Sequence, residues 1–87
     1  MLAAKIANSL LDINGVKASF VLTNYNKKIY ISARSIDEVN VQVMMERLGG
    51  GGHINMAGAQ LEDCTVEEAK EQIRQMIDQM LEDGDID

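Results

Sequence analysis

The chain has 87 residues, 46% of them hydrophobic and none of them proline, and carries a net charge of −6. That length supports one modest core rather than two, and a domain this small buries only about 60–65% of its unfolded surface, so it is expected to lean on a neighbour. The acidic balance argues against a general nucleic-acid binder, which neutralises phosphates with clustered Lys and Arg, and three rings (Phe20, Tyr25, Tyr30) scarcely make a single-strand stacking platform.

Taken in chain order, Leu2, Ala3, Ile6, Ala7, Leu10 and Leu11 recur at helical spacing, and Asn14-Gly15 tolerates the left-handed backbone of a helix end, which predicts a first helix. From Val16 to Thr23 β-branched and aromatic residues dominate, Asn24-Tyr25-Asn26-Lys27 interrupts, and Lys28 to Arg34 alternates strictly, the signature of a β-hairpin. Alternation puts Ile29, Ile31 and Ala33 on one face of the second strand and Tyr30, Ser32 and Arg34 on the other. Val41, Met44, Met45 and Leu48 then predict a short helix with Asn40 as N-cap and Gly49 just past its end. Ala59 to Glu62 reads as a short strand. Thr65 and Glu68 form a capping box ahead of a long helix with the stripe Val66, Ala69, Ile73, Met76, Ile77, Met80 and Leu81. The methionines on these stripes read as core filler. The order α-β-β-α-β-α predicts an α/β (α+β) domain over residues 1–83, a small mixed sheet packed by three main helices, with 84–87 as a frayed acidic tail.

The acidity is uneven: residues 1–58 hold six basic and four acidic side chains, whereas residues 59–87 hold two basic and ten acidic. The run Gly49-Gly50-Gly51-Gly52-His53 lies outside the acidic third. Glycines let backbone approach a ligand and let N–H groups converge on an anion, and His53 adds a directional donor, so the run reads as a phosphate-binding loop; the alternative is a flexible spacer or an extended helix cap. Gly49 is better assigned as the helix stop. Arg34 with Ser32 offers a guanidinium fork plus a hydroxyl for a second phosphate, against the alternative of a solvated surface charge. Cys64 reads as an inert small residue, since no basic neighbour is at hand to activate it.

One cysteine and one histidine allow neither an internal disulfide nor a four-ligand zinc site, which fits a reducing cytoplasm. No apolar run reaches the roughly 18–20 residues of a membrane span, and Met1-Leu2-Ala3-Ala4-Lys5 lacks the order of a signal peptide. The scattered acids ahead of the glycines offer no convergent Asp/His set, so the chain is expected to need another domain for any hydrolytic chemistry.

The stretches Ile31-Ser32-Ala33-Arg34-Ser35 and Asn40-Val41-Gln42-Val43-Met44-Met45-Glu46-Arg47-Leu48-Gly49-Gly50-Gly51-Gly52-His53 resemble the DHHA1 domain that follows DHH phosphoesterase domains. The resemblance extends over nearly the whole chain, and its wording is nearest to the bacterial membrane-anchored cyclic-di-AMP phosphodiesterases, with nano-RNA phosphodiesterases and single-strand exonucleases among the relatives. It implies that an absent DHH domain of the same polypeptide carries two manganese ions and hydrolyses a phosphodiester, while this fragment holds no cofactor and binds the cyclic dinucleotide or short oligonucleotide. By motif match, Gly50, Gly51 and Gly52 would present backbone to the nucleotide, His53 would contact a phosphate near the scissile bond in support of catalysis, and Arg34 with Ser32 would hold the second phosphate. The parent would be membrane-anchored with this domain on the cytoplasmic side. The family often continues His-x-x-Ala-Ala-Gly, where this chain has Met56 ahead of Ala57-Gly58, which alters the pocket wall. The family's domain also carries a strand ahead of its first helix; its expected lack here would expose apolar surface and favour a homodimer. The competing readings are an RNA-binding module like that of alanyl-tRNA synthetases, the DHHA1 domain of a nano-RNA phosphodiesterase or single-strand exonuclease, and an interaction module in which the glycines are only a hinge.

Overall fold

A computed structural model describes residues 7–12, as backbone, and residues 17–85. The elements are β1 (Ala7–Asp12), β2 (Ala18–Tyr25), β3 (Lys28–Ser35), α1 (Val41–Arg47), β4 (Gly51–His53), β5 (Met56–Glu62) and α2 (Val66–Glu82). The strands form one sheet in the order β1-β2-β3-β5-β4, and every neighbouring pair is antiparallel. The class is α+β, as the residue pattern predicts.

Four expectations are corrected. The first helix, from Ala7 onward, is a strand; Leu2, Ala3 and Ile6 lie outside the described residues, as does Asn14-Gly15. Leu10 and Leu11 satisfy helical spacing only as part of a short apolar run, and such a run serves a strand equally once β2 is there to pair with it. The edge expected to lack a strand is therefore occupied by β1. The sheet is antiparallel rather than mixed, and two helices, not three, appear among the described residues.

The β2–β3 hairpin turns through Asn26 and Lys27, both at positive φ (58° and 64°), the two-residue turn whose twist suits flanking strands. It places alternate residues of each strand on one buried face: Ala18, Phe20 and Leu22 from β2 and Ile29, Ile31 and Ala33 from β3. Val41, Met44 and Met45 of α1 and Ala69, Ile73, Met76, Ile77 and Met80 of α2 complete a single apolar cluster against that face. Each fully buried large side chain contributes about 1.5–3 kcal/mol by leaving water, so this face carries the fold. The methionines are core filler, as their spacing implies.

Both helices begin and end by local rules. The side chain of Asn40 accepts from the Val43 N–H, and Thr65 and Glu68 exchange both bonds of a capping box. Past α1, Gly49 takes φ +89° while its N–H donates to the Glu46 carbonyl and the Gly50 N–H to that of Met45. Gly84 (φ +78°) and Asp85 repeat the arrangement on Leu81 and Met80 past α2. Arg47 and Asp85 then join the two helix ends in an exposed 3.0 Å ion pair.

Candidate functional site

Because both helices cover one face, the opposite face of β2, β3, β5 and β4 is open. Paired residues of antiparallel strands point to the same side, so the register lays out that face in rows. Arg34 pairs with Met56 and Met56 with His53; Ser32 pairs with Gly58 and Gly58 with Gly51; Tyr30 pairs with Gln60. Arg34, Ser32, Tyr30, Met56, His53 and Gln60 are all exposed, and Gly58 and Gly51 are half-buried. The middle row is thus nearly flat. It forms the floor of a shallow trough crossing the strands, with Arg34, Met56 and His53 as one wall and Tyr30 and Gln60 as the other. Val21, opposite Ser32 on β2, closes one end, and the edge of β4 leaves the other end open. Adjacent strands lie about 4.8 Å apart, so Arg34 and His53, two strands apart, stand about 10 Å from each other at the backbone.

The glycine run is not a loop. Its last two glycines and His53 form β4, which turns through Ile54 and Asn55 onto β5. Three of the four glycines answer to the fold. Gly49 is the left-handed helix stop. A Cβ on Gly50 would lie 2.0 Å from the Gly58 carbonyl oxygen, and one on Gly52, whose φ is +148°, would lie 2.5 Å from Ala57 Cα. At Gly51 a Cβ would meet nothing within 4 Å, and its φ needs no glycine. Gly51 is the member of the run whose missing side chain the fold leaves unexplained, and it lies in the trough floor.

Asn55, which the residue pattern did not single out, holds the hairpin tip in place. Its side-chain N–H groups donate to Ser35 Oγ (3.0 Å) and to the Asp37 carbonyl (3.3 Å), and the Ser35 N–H donates to the Asn55 carbonyl (3.1 Å). The Val41 N–H donates to the Ile54 carbonyl at 2.8 Å. These bonds tie the tip beside His53 to the segment between β3 and α1, so the two ends of the Arg34–His53 wall are held against each other. Met56 and Gly58 belong to β5 itself, which starts at Met56 rather than at Ala59 as the residue pattern suggests.

The side chains of Arg34 and His53 form no hydrogen bond or ion pair among the described residues, whereas Lys17, Lys28, Arg47, Lys70 and Arg74 each face a carboxylate. Lys17 is held above the usual lysine range by its hydrogen bond to Asp37. In an acidic chain, the trough therefore retains an uncommitted guanidinium. A second groove, of about 700 Å³, lies beyond the β2–β3 turn and is lined by Asn24, Lys27 and residues 63–68. Asp63, Glu67 and Glu68 make it unsuited to an anion. Burial pushes the Cys64 thiol up, with Glu68 and Asp63 adding to the shift, so this cysteine is a poor nucleophile. No three His, Cys, Asp or Glu side chains converge on a metal position among the described residues, and no helix there is long and apolar enough to cross a membrane.

Residues 2–83 fit the family model of the DHHA1 domain. The chain is a DHHA1 domain. Over 85 residues it is 52% identical to the cyclic-di-AMP phosphodiesterase GdpP of Geobacillus thermodenitrificans, covering 97% of this chain and 13% of that protein. It is 51% identical over 79 residues to the cyclic-di-AMP phosphodiesterase PdeA of Listeria monocytogenes (90% and 12%), and 45% identical over 85 residues to GdpP of Bacillus subtilis (97% and 13%). The DHHA1 domain accordingly spans about an eighth of the length of these relatives.

Proposed function

We propose that this DHHA1 domain binds a cyclic dinucleotide in the trough of its open sheet face, for hydrolysis by a DHH domain of the same polypeptide. The observation that carries the reading is the register that sets Arg34 and His53 on one wall, about 10 Å apart, above the flat row Ser32, Gly58 and Gly51. Arg34 can take one phosphate through two parallel N–H bonds, with the Ser32 hydroxyl two residues along the strand as a further donor. His53 can donate to the phosphate under attack, where charge grows in the transition state. Gly51 lets the ligand reach main chain, and Gly50 and Gly52 hold that main chain against β5. The similarity to cyclic-di-AMP phosphodiesterases supports the substrate.

The two manganese ions implied by the resemblance fall to the DHH domain, where they would activate the attacking water. The residues of this chain bind, orient and donate hydrogen bonds. In the complete phosphodiesterase, His53→Ala is expected to lower kcat by about two orders of magnitude or more. Arg34→Ala is expected chiefly to weaken substrate binding. Wild-type kinetics for both variants would refute the reading.

A further inference from the structure

The phosphate wall accounts for one side of the trough and leaves the other, Tyr30 with Gln60, without a role. We propose that this second wall reads the base: Tyr30 stacks on it, and Gln60 selects adenine over guanine. The inference rests on the phosphate reading above but concerns different residues.

Tyr30 and Gln60 face each other across β3 and β5, two residues along the strands from the Ser32–Gly58 pair, and four from Arg34 and Met56. Four residues of strand span about 13 Å, so the two walls stand one nucleotide apart once their side chains reach inward. Of the three rings in the chain, Phe20 is buried in the core and Tyr25 sits at the hairpin turn; Tyr30, 37% exposed, is the ring beside the floor. An exposed ring next to backbone without side chains gives a base one flat surface to stack against and another to slide over. The Gln60 side chain is exposed and makes no hydrogen bond among the described residues. Behind this wall lies the Lys28–Glu62 ion pair, at 3.6 Å, so no unbalanced charge stands beside the base.

A glutamine amide presents a donor and an acceptor side by side. Adenine matches it with the N7 acceptor and the N6 donor, whereas guanine shows two acceptors, N7 and O6, on the same edge. With guanine in the same position, the amide oxygen of Gln60 would face O6 unpaired. Phosphate contacts carry no such information, because Arg34 and His53 bind either dinucleotide alike.

The test uses the complete phosphodiesterase with cyclic-di-AMP and its guanine counterpart as paired probes, comparing Kd and kcat/KM for each. Gln60→Leu is expected to reduce the adenine-to-guanine preference by about tenfold or more, with an unchanged melting temperature. Tyr30→Ala is expected to weaken both ligands by about tenfold, and Tyr30→Phe to restore them. An unaltered preference in Gln60→Leu, while Arg34→Ala still weakens both ligands, would overturn base reading and leave the phosphate site standing. If Arg34→Ala weakens neither ligand, the phosphate site fails, and base reading with it.

Discussion

Replacing Gly50, Gly51 and Gly52 one at a time with alanine separates what the fold requires from what a ligand requires. At Gly52 the new Cβ would sit 2.5 Å from Ala57 Cα on a backbone at φ +148°. Strained φ costs about 1–3 kcal/mol, and overpacking about as much again, giving roughly 2–6 kcal/mol. At Gly50 the obstacle is main chain, the Gly58 oxygen at 2.0 Å, and relief means separating Gly50 from β5; about 3 kcal/mol is expected. Gly51→Ala meets open space and restricts the unfolded chain, so it should stabilise by about 0.4–1 kcal/mol. In a domain of this size 1 kcal/mol moves the midpoint by about 4–8 °C. Thermal melts followed by circular dichroism should therefore show Gly50→Ala and Gly52→Ala falling by more than about 10 °C and Gly51→Ala rising by a few degrees. The reasoning fails if Gly51→Ala melts as low as Gly52→Ala, or if the other two match wild type. Cyclic-di-AMP binding by the complete protein should nonetheless weaken in Gly51→Ala, a more stable variant with a poorer site.

Three further outcomes follow from the same contacts. Asn55→Ala removes the side-chain donors that hold the hairpin tip to Ser35 and Asp37, and should cost about 1–2 kcal/mol in urea denaturation while lowering kcat more than it raises KM, because His53 loses its placement. Thr65→Ala opens the capping box of α2 and should cost about 1 kcal/mol, with amide exchange accelerating first at residues 66–69. Cys64 should be alkylated by iodoacetamide at pH 8 more slowly in the native chain than in urea, since its raised pKa leaves less thiolate. Its stabilising contribution is complete below the unfolded thiol pKa and is lost as pH rises through the folded one; equal native and unfolded rates would contradict this.

Features governed by neighbours in sequence were readable from it. The alternation of β3, the Asn40 and Thr65 caps and the Gly49 stop depend on a few adjacent residues, and the structure keeps all of them. The misread elements are those that a distant partner decides. The apolar run through Leu10 and Leu11 becomes a strand because β2 offers it an edge, and the glycine run becomes β4 because β5 returns beside it, against glycine's poor intrinsic strand preference. The candidate site divides in the same way. Arg34, Ser32 and His53 could be picked out by chemical type, but only the pairing of residues 34, 56 and 53 places them in one row. Met56, which looked like a departure in the pocket wall, is the middle of that row.

The trough separates what can vary from what cannot. Its floor and the strand beneath it are fixed by backbone against backbone, at Gly50, Gly52 and Gly58, where almost any added atom collides. Its walls are exposed side chains outside the apolar cluster, and substitutions at such positions usually shift stability by no more than about 0.5 kcal/mol. A lineage can therefore exchange Tyr30, Gln60 or Met56 and test new ligands without first finding compensating changes in the core.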